Sequence, residues 1–98
     1  MPPFHLAFPV HDLAAARAFY GGLLGCAEGR SSEQWVDFDF FGHQIVAHLA
    51  PEECAAAAAS DVDGKAVPVR HFGRVLDMPT WRDLAARLTD QVEFIIAP

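Results

Sequence analysis

The sequence predicts an α+β fold in which two similar strand–helix units follow one another in a chain of 98 residues. Period-two alternation of apolar and polar residues marks several strands, and apolar residues at helical spacing mark two helices. A histidine opens each unit, since His5-Leu6-Ala7 precedes the first helix and His71-Phe72-Gly73 precedes the second. The spacing between these two histidines along the chain is typical of a duplicated supersecondary unit.

The first unit begins with a strand and a helix. From Phe4 to Val10, successive side chains alternate between a largely aromatic face and a face that carries a histidine. Asp12 is a suitable N-cap for the helix that starts at Leu13, because its carboxylate can accept a hydrogen bond from a free backbone N–H. Glycines in the following segment weaken this helix, and Gly25 ends it.

A β-hairpin completes the first unit. The polar stretch 28–33 is loop-like and contains at most a short strand. Residues 34–41 alternate clearly between apolar and polar side chains, and residues 43–49 do so again. Gly42 lies between them and permits a tight turn, so these two segments are predicted to pair.

The second unit is shorter. Val67 to Leu76 is predicted as a strand that carries His71, residues 79–88 as a helix with Trp81 on its buried stripe, and residues 92–96 as a strand. The predicted organisation is a single domain, with a first unit at 1–50, an alanine-rich linker at 51–66 and the start of a second unit at 67–98.

Composition excludes several classes of function. Seven basic residues against thirteen acidic ones give a net charge of −6, which disfavours nucleic acids and anionic membrane surfaces as partners. No apolar run is long enough for a membrane span, while the 52% hydrophobic content allows a core. Cys26 and Cys54 form no CxxC pair, so we expect a cytoplasmic protein with reduced thiols.

The opening strand Phe4–Val10, the helix end Ala18-Phe19-Tyr20 before Leu23-Leu24-Gly25-Cys26, and the second unit that opens at His71 resemble the vicinal oxygen chelate superfamily. That superfamily includes glyoxalase I, the bleomycin- and fosfomycin-resistance proteins and the extradiol dioxygenases. The resemblance implies paired βαβββ modules whose sheets curl into a cup around a metal ion. The second module is incomplete in this chain.

The resemblance also implies a set of metal ligands. His5 matches the ligand on the first strand of the family's first module, and His71 matches its counterpart in the second module. His48 lies where some members carry a glutamate. The family's remaining ligand is a glutamate on the last strand of the second module, and Glu93 does not match that position. Either the polypeptide continues beyond Pro98 or this ligand has been lost.

Independently of the resemblance, two histidines on neighbouring strands suit a divalent ion such as Fe, Mn, Ni or Zn. Neutral imidazole is the commonest ligand of such ions, and two histidines with one carboxylate leave positions open for a substrate. The alternative is that His5 and His71 are ordinary hydrogen-bonded strand residues. His11 and His43 are expected to lie at the surface.

Two other groups of residues have a chemical and a structural interpretation. Asp37 and Asp39 share one strand face, where they could act as acid and base or supply an oxygen ligand. We favour the alternative, a solvated strand face. Cys26 and Cys54 have no basic neighbour in the sequence, so nothing supports nucleophilic catalysis by a thiol.

These features leave two functions open. The first is a metal-dependent enzyme that acts on a small molecule with adjacent oxygens, either a glyoxalase-type isomerase or lyase or a ring-cleaving dioxygenase. The second is a metal-free protein that sequesters a ligand, as bleomycin-resistance proteins do. Family members commonly pair, and an incomplete module leaves sheet edges to cover, so we expect a homodimer. An inactive piece of a longer protein is a third possibility.

Overall fold

The computed structural model describes residues 2–54, 59–62 and 64–98. The chain divides into two compact units, residues 1–55 and residues 56–98. None of the helices in these described ranges has the length and apolar character that a membrane crossing requires.

The first unit is a complete βαβββ module. Strand β1 (His5–Val10) leads into a helix, and three further strands follow: β2 (Glu28–Ser31), β3 (Trp35–Phe40) and β4 (His43–Leu49). The sheet has the order β1-β4-β3-β2, in which β1 and β4 run parallel and the other neighbours run antiparallel. The helix provides the connection between β1 and the rest of the sheet, as a parallel pair requires. The predicted α+β class and the predicted hairpin are confirmed.

The helix of this unit starts as predicted and continues in an unexpected form. The Asp12 carboxylate accepts a hydrogen bond from the backbone N–H of Ala15 at 3.1 Å, which is the expected N-cap contact. Helix α1 (Leu13–Ala16) then widens into a π-helical segment, Arg17–Leu23. Gly25 follows in the left-handed region at φ 72°, where a side chain would be strained, and so ends the helix.

The hairpin between β3 and β4 turns within two residues. Phe41 and Gly42 both have positive φ, 53° and 88°, as a type I′ turn requires. The backbone N–H of Gly42 also donates to the Asp39 carboxylate at 2.7 Å. This turn fixes the register so that Phe40 lies opposite His43 and Asp39 opposite Gln44.

One face of the sheet packs against the helix and forms the core. Its buried members include Phe38, Ile45 and Val36, which are almost completely inaccessible to solvent. Partly buried residues surround them, namely Leu6, Phe8, Val10, Leu13, Tyr20, Leu24 and Phe41. Because β-strand side chains alternate, the residues between these apolar positions all point to the opposite face.

The second unit contains a β-hairpin and a helix. Strands β5 (Ala59–Val62) and β6 (Lys65–Pro68) pair antiparallel, so part of the segment predicted as a linker over 51–66 forms strands. Pro51–Glu53 is a short 3₁₀ turn. Residues 55–58 and Asp63 of this alanine-rich linker lie outside the described residues.

Of the two predicted strands of the second unit, one is shorter than predicted and one is absent from the described residues, while the predicted helix is present. Helix α2 (Met78–Leu88) begins at Asp77, whose carboxylate accepts from the Thr80 N–H at 2.9 Å. The strand predicted over 67–76 ends at Pro68, and residues 92–96 form no strand. A strand needs a paired neighbour, and in the described residues only β5 lies beside β6.

Candidate functional site

The sheet face opposite the core collects the polar side chains of the first unit. It carries His5 on β1, Asp37 and Asp39 on β3, and Gln44 and His48 on β4. His5 lies beside Gln44 in the parallel pair, and Gln44 lies beside Asp39 in the antiparallel pair. Residues paired in this way present their side chains to the same side of the sheet.

Three of these side chains form a continuous hydrogen-bond chain. His5 Nδ1 lies 2.9 Å from Gln44 Oε1. The Nε2 amino group of the same glutamine donates to Asp37 Oδ2 at 3.0 Å. His5 and Gln44 are exposed, whereas Asp37 is only 8% exposed. The chain therefore runs from a buried carboxylate, through an amide, to an accessible imidazole.

The Asp37 carboxylate is held by close packing. A Cβ atom at Gly29 on β2 would overlap the Asp37 carboxylate, so only glycine allows the β2 backbone to approach this closely. Asp37 also lines a pocket of about 320 Å³ together with Glu28, Asp39 and Gln44. The solvated face predicted for the two aspartates is therefore wrong for Asp37, while Asp39 is exposed and caps the hairpin turn.

His48 is separated from His5 along the sheet. It lies opposite Pro9 of β1, whereas His5 lies opposite Gln44, four residues earlier on β4. Four residues of a strand span ~13 Å at the usual rise. The His48 side chain is exposed on the same face, but the near neighbour of His5 is Gln44.

His71 lies in the second unit, after β6. Its Nδ1 atom is 2.7 Å from the backbone carbonyl oxygen of Pro68, and the side chain is exposed. A carbonyl oxygen only accepts hydrogen bonds, so Nδ1 of His71 carries the proton and Nε2 keeps its lone pair in the neutral ring.

The two remaining histidines differ from each other. His11 is exposed just before helix α1, as expected. His43 was expected at the surface but is half-buried, because its ring packs against that of Phe4 with the two centroids 4.7 Å apart. The backbone N–H of Phe4 donates to His43 Nδ1 at 3.0 Å. His43 Nδ1 is therefore an acceptor, and in the neutral ring the proton is on Nε2.

Metal-binding clusters are not evident in the part of the chain that the structure describes. Within those residues, no three His, Cys, Asp or Glu side chains gather as a metal-binding group. Cys26 is buried in the core, and Cys54 is exposed with its thiol 3.4 Å from the Ala50 carbonyl oxygen. The hydrogen-bond chain to Asp37 was not predicted, because it depends on a tertiary approach of β2 that no local pattern signals.

Comparison with known proteins identifies solved structures that are similar to this fold. No family model matches the sequence, and no curated protein matches it. A glyoxalase/bleomycin resistance protein/dioxygenase from Alicyclobacillus acidocaldarius is 29% identical, with a TM-score of 0.63, over 91% of this chain and 62% of that one. Lactoylglutathione lyase from Agrobacterium tumefaciens is 21% identical, with a TM-score of 0.56, over 93% of this chain and 72% of that one.

These likenesses agree with the topology of the first unit. The sheet order β1-β4-β3-β2, with the helix between β1 and β2, is that of a glyoxalase-like βαβββ module. The chain spans 62% of the length of the Alicyclobacillus protein. The resemblance seen in the sequence is confirmed: the chain is similar in structure to solved members of the glyoxalase/bleomycin resistance/dioxygenase, or vicinal oxygen chelate, superfamily.

Proposed function

We propose that this protein binds a divalent metal ion through His5 and His71 and acts as an enzyme on a small molecule with two adjacent oxygens. The reaction class would be a glyoxalase-type isomerisation or lyase reaction, or ring-cleaving dioxygenation. The superfamily supports this proposal, although one fold of this kind carries several chemistries.

The observation that carries the proposal is the hydrogen bonding of the two histidines. In both, Nδ1 faces an oxygen atom: the Gln44 amide oxygen for His5 and the Pro68 carbonyl oxygen for His71. Histidines that bind metals usually donate one ring N–H to such an oxygen and bind the ion through the other nitrogen. Both side chains are exposed, so Nε2 is accessible to an ion. His43 has the opposite arrangement and serves as a contrast.

The donor chemistry of this pair fits an ion of the Fe, Mn, Ni or Zn type. Imidazole nitrogens suit all four, and two imidazoles leave room for oxygen ligands. When bound, such an ion supplies Lewis-acid polarisation of substrate oxygens. His5 and His71 would each bind the ion through Nε2. His48, which was predicted as a third ligand, lies ~13 Å from His5 along the sheet and is not proposed as a ligand of the same ion. An acidic ligand is not identified among the described residues.

The alternative function is metal-free sequestration of a ligand. Two observations favour it: the described residues contain no group of three metal-binding side chains, and the first unit has an open pocket of about 320 Å³. Pockets of this size lie at the lower end of the range for small-molecule sites. The two functions make opposite predictions about metal content.

The first test is metal analysis of protein purified without an affinity tag. The chain is stripped with a chelator, reloaded separately with Fe²⁺, Mn²⁺, Ni²⁺ or Zn²⁺, dialysed, and analysed by inductively coupled plasma mass spectrometry. We expect one of these ions to be retained at one equivalent per chain. His5→Ala and His71→Ala should each lose it, since either change removes a ligand.

The control is His11→Ala, which removes an exposed histidine outside the proposed site and should retain the ion. Wild-type protein that retains none of the four ions would contradict the metal-dependent enzyme and favour ligand sequestration. Full metal retention in both His5→Ala and His71→Ala would show that the ion is held elsewhere.

A further inference from the structure

We propose that Gln44 and Asp37 are positioning residues that hold His5 in the tautomer with the proton on Nδ1 and the lone pair on Nε2. One consequence of this inference, its effect on the affinity for metal, rests on the proposed function. The tautomer itself is a property of the metal-free chain.

The argument starts at Asp37. An ionised carboxylate accepts hydrogen bonds and donates none. Asp37 Oδ2 lies 3.0 Å from the Gln44 side-chain amide, so the amide must present its NH₂ group to the carboxylate. The reverse orientation would place the amide oxygen against the carboxylate oxygen, two acceptors in contact, and would leave a buried charge without its donor.

The orientation of Gln44 then determines the state of His5. With its NH₂ group on Asp37, Gln44 presents Oε1 to His5 Nδ1 at 2.9 Å. An amide oxygen only accepts, so His5 Nδ1 must donate. In the neutral ring the proton is then on Nδ1, and Nε2 is the atom with a free lone pair. A buried carboxylate thus selects the tautomer of an imidazole that it does not touch.

The position of Asp37 is itself fixed. The side chain is 8% exposed, and the β2 backbone at Gly29 packs against the carboxylate so closely that a Cβ atom there would overlap it. Asp37 lies opposite Val46 in the β3–β4 pair, two residues from Gln44 on the same strand face. The carboxylate therefore has little freedom to leave the amide, and the chain of bonds is preorganised.

His43 provides an internal reference for this tautomer. It lies next to Gln44 in sequence, yet its Nδ1 accepts from the Phe4 backbone N–H at 3.0 Å. The neutral ring of His43 therefore carries its proton on Nε2, opposite to His5. The two histidines can be compared in one spectrum of one sample.

The test is two-bond ¹H–¹⁵N correlation spectroscopy of the ¹⁵N-labelled, metal-free chain, at a pH where the imidazoles are neutral. We expect His5 to show a protonated Nδ1 and an unprotonated Nε2, and His43 to show the reverse. Gln44→Ala should shift His5 towards the Nε2–H form that free histidine prefers. Asp37→Asn should give a mixture, because an asparagine amide can either accept from Gln44 or donate to it.

In both variants the His43 signals should be unchanged, which shows that the module is still folded. An Nε2–H tautomer of His5 in the wild type would overturn the proposal, as would a pure Nδ1–H tautomer that persists in Gln44→Ala or Asp37→Asn.

Metal affinity separates this proposal from the proposed function. If an ion is bound, Gln44→Ala should weaken its affinity by about 10- to 100-fold in calorimetric titration with that ion, because loss of such a hydrogen-bond partner has this effect in other metal sites. Unchanged affinity would overturn the positioning role even with the metal site intact. The expected tautomers in a wild type that binds no ion would leave the positioning role standing and refute the metal function.

Discussion

Tyr20 is a residue of the first unit whose ionisation is affected by its surroundings. Its ring lies between the rings of Phe8 and Phe38, with centroid distances of 5.5 Å and 5.6 Å. Burial raises the pKa of the Tyr20 phenol above its ordinary value of 10.0, and a negative charge on the nearby Cys26 thiol would raise it further. The phenol is therefore a neutral member of the core.

This shift predicts a pH dependence of stability. Because the folded state binds the Tyr20 proton more tightly than the unfolded state, stability is fully present below pH 10.0 and is lost as the pH rises through the higher folded pKa. Denaturant unfolding should give a free energy that falls across this alkaline range. Tyr20→Phe cannot ionise, so its free energy should fall less steeply, and identical slopes for the two proteins would contradict this account.

Helix α1 depends on its first residues more than a long helix would. Only Leu13–Ala16 is α-helical before the π-helical segment begins, and the Asp12 carboxylate satisfies the Ala15 N–H. Asp12→Ala should destabilise the protein by about 1 kcal/mol, the usual effect of losing an N-cap. Urea unfolding measures this difference.

The matched control is Asp12→Asn, whose side-chain oxygen can accept the same hydrogen bond from Ala15. It should stay within a few tenths of a kcal/mol of the wild type. An equal loss of stability in Asp12→Ala and Asp12→Asn would show that the carboxylate acts through its charge rather than as a cap.

Elements with strong local signals were predictable from the sequence, and those that depend on distant partners were not. The Asp12 cap and the turn at Gly42 are determined by one or two residues, and both are present. The apolar and β-branched residues among 69–76 indicate only that these side chains suit a strand; without a paired neighbour among the described residues, no strand forms there.

The candidate site, too, could be predicted only in part from the sequence. The histidines could be selected by their places in the strand pattern and by the family resemblance, and His5 does lie on an exposed strand face. Asp37 could not be selected from the sequence in this way, because its burial comes from the close approach of Gly29 on β2. Trp81 was predicted as a core residue from its helical spacing and is 41% exposed, since amphipathic spacing does not say whether anything covers the apolar stripe.

Buried and exposed apolar side chains are distributed unevenly over the whole molecule. Among the described residues, every buried one lies between Ala16 and Ala47 of the first unit. Most of the exposed large apolar residues belong to the second unit: Val69, Phe72, Val75, Met78, Trp81, Phe94, Ile95 and Ile96. We call these eight residues the apolar group of the second unit. So much exposed apolar surface on one unit is typical of surface that a partner covers.

We therefore predict a homodimer whose contacts include this apolar group, with a light-scattering mass of twice 10.7 kDa. Val75→Glu and Trp81→Glu should shift the protein towards the monomer, because each buries a charge in the contact. Gln91→Glu, an exposed polar position of the same unit, should leave the mass unchanged.

The salt dependence of dimer formation provides a second test of this prediction. Each copy carries a net charge of −6, so the two copies repel each other, and added salt should strengthen the dimer by screening that repulsion. A contact held mainly by ion pairs would weaken instead. A wild-type chain that stays monomeric at every salt concentration, or a dimer that both charged variants leave intact, would mean that the apolar group of the second unit is not where two copies of this chain meet.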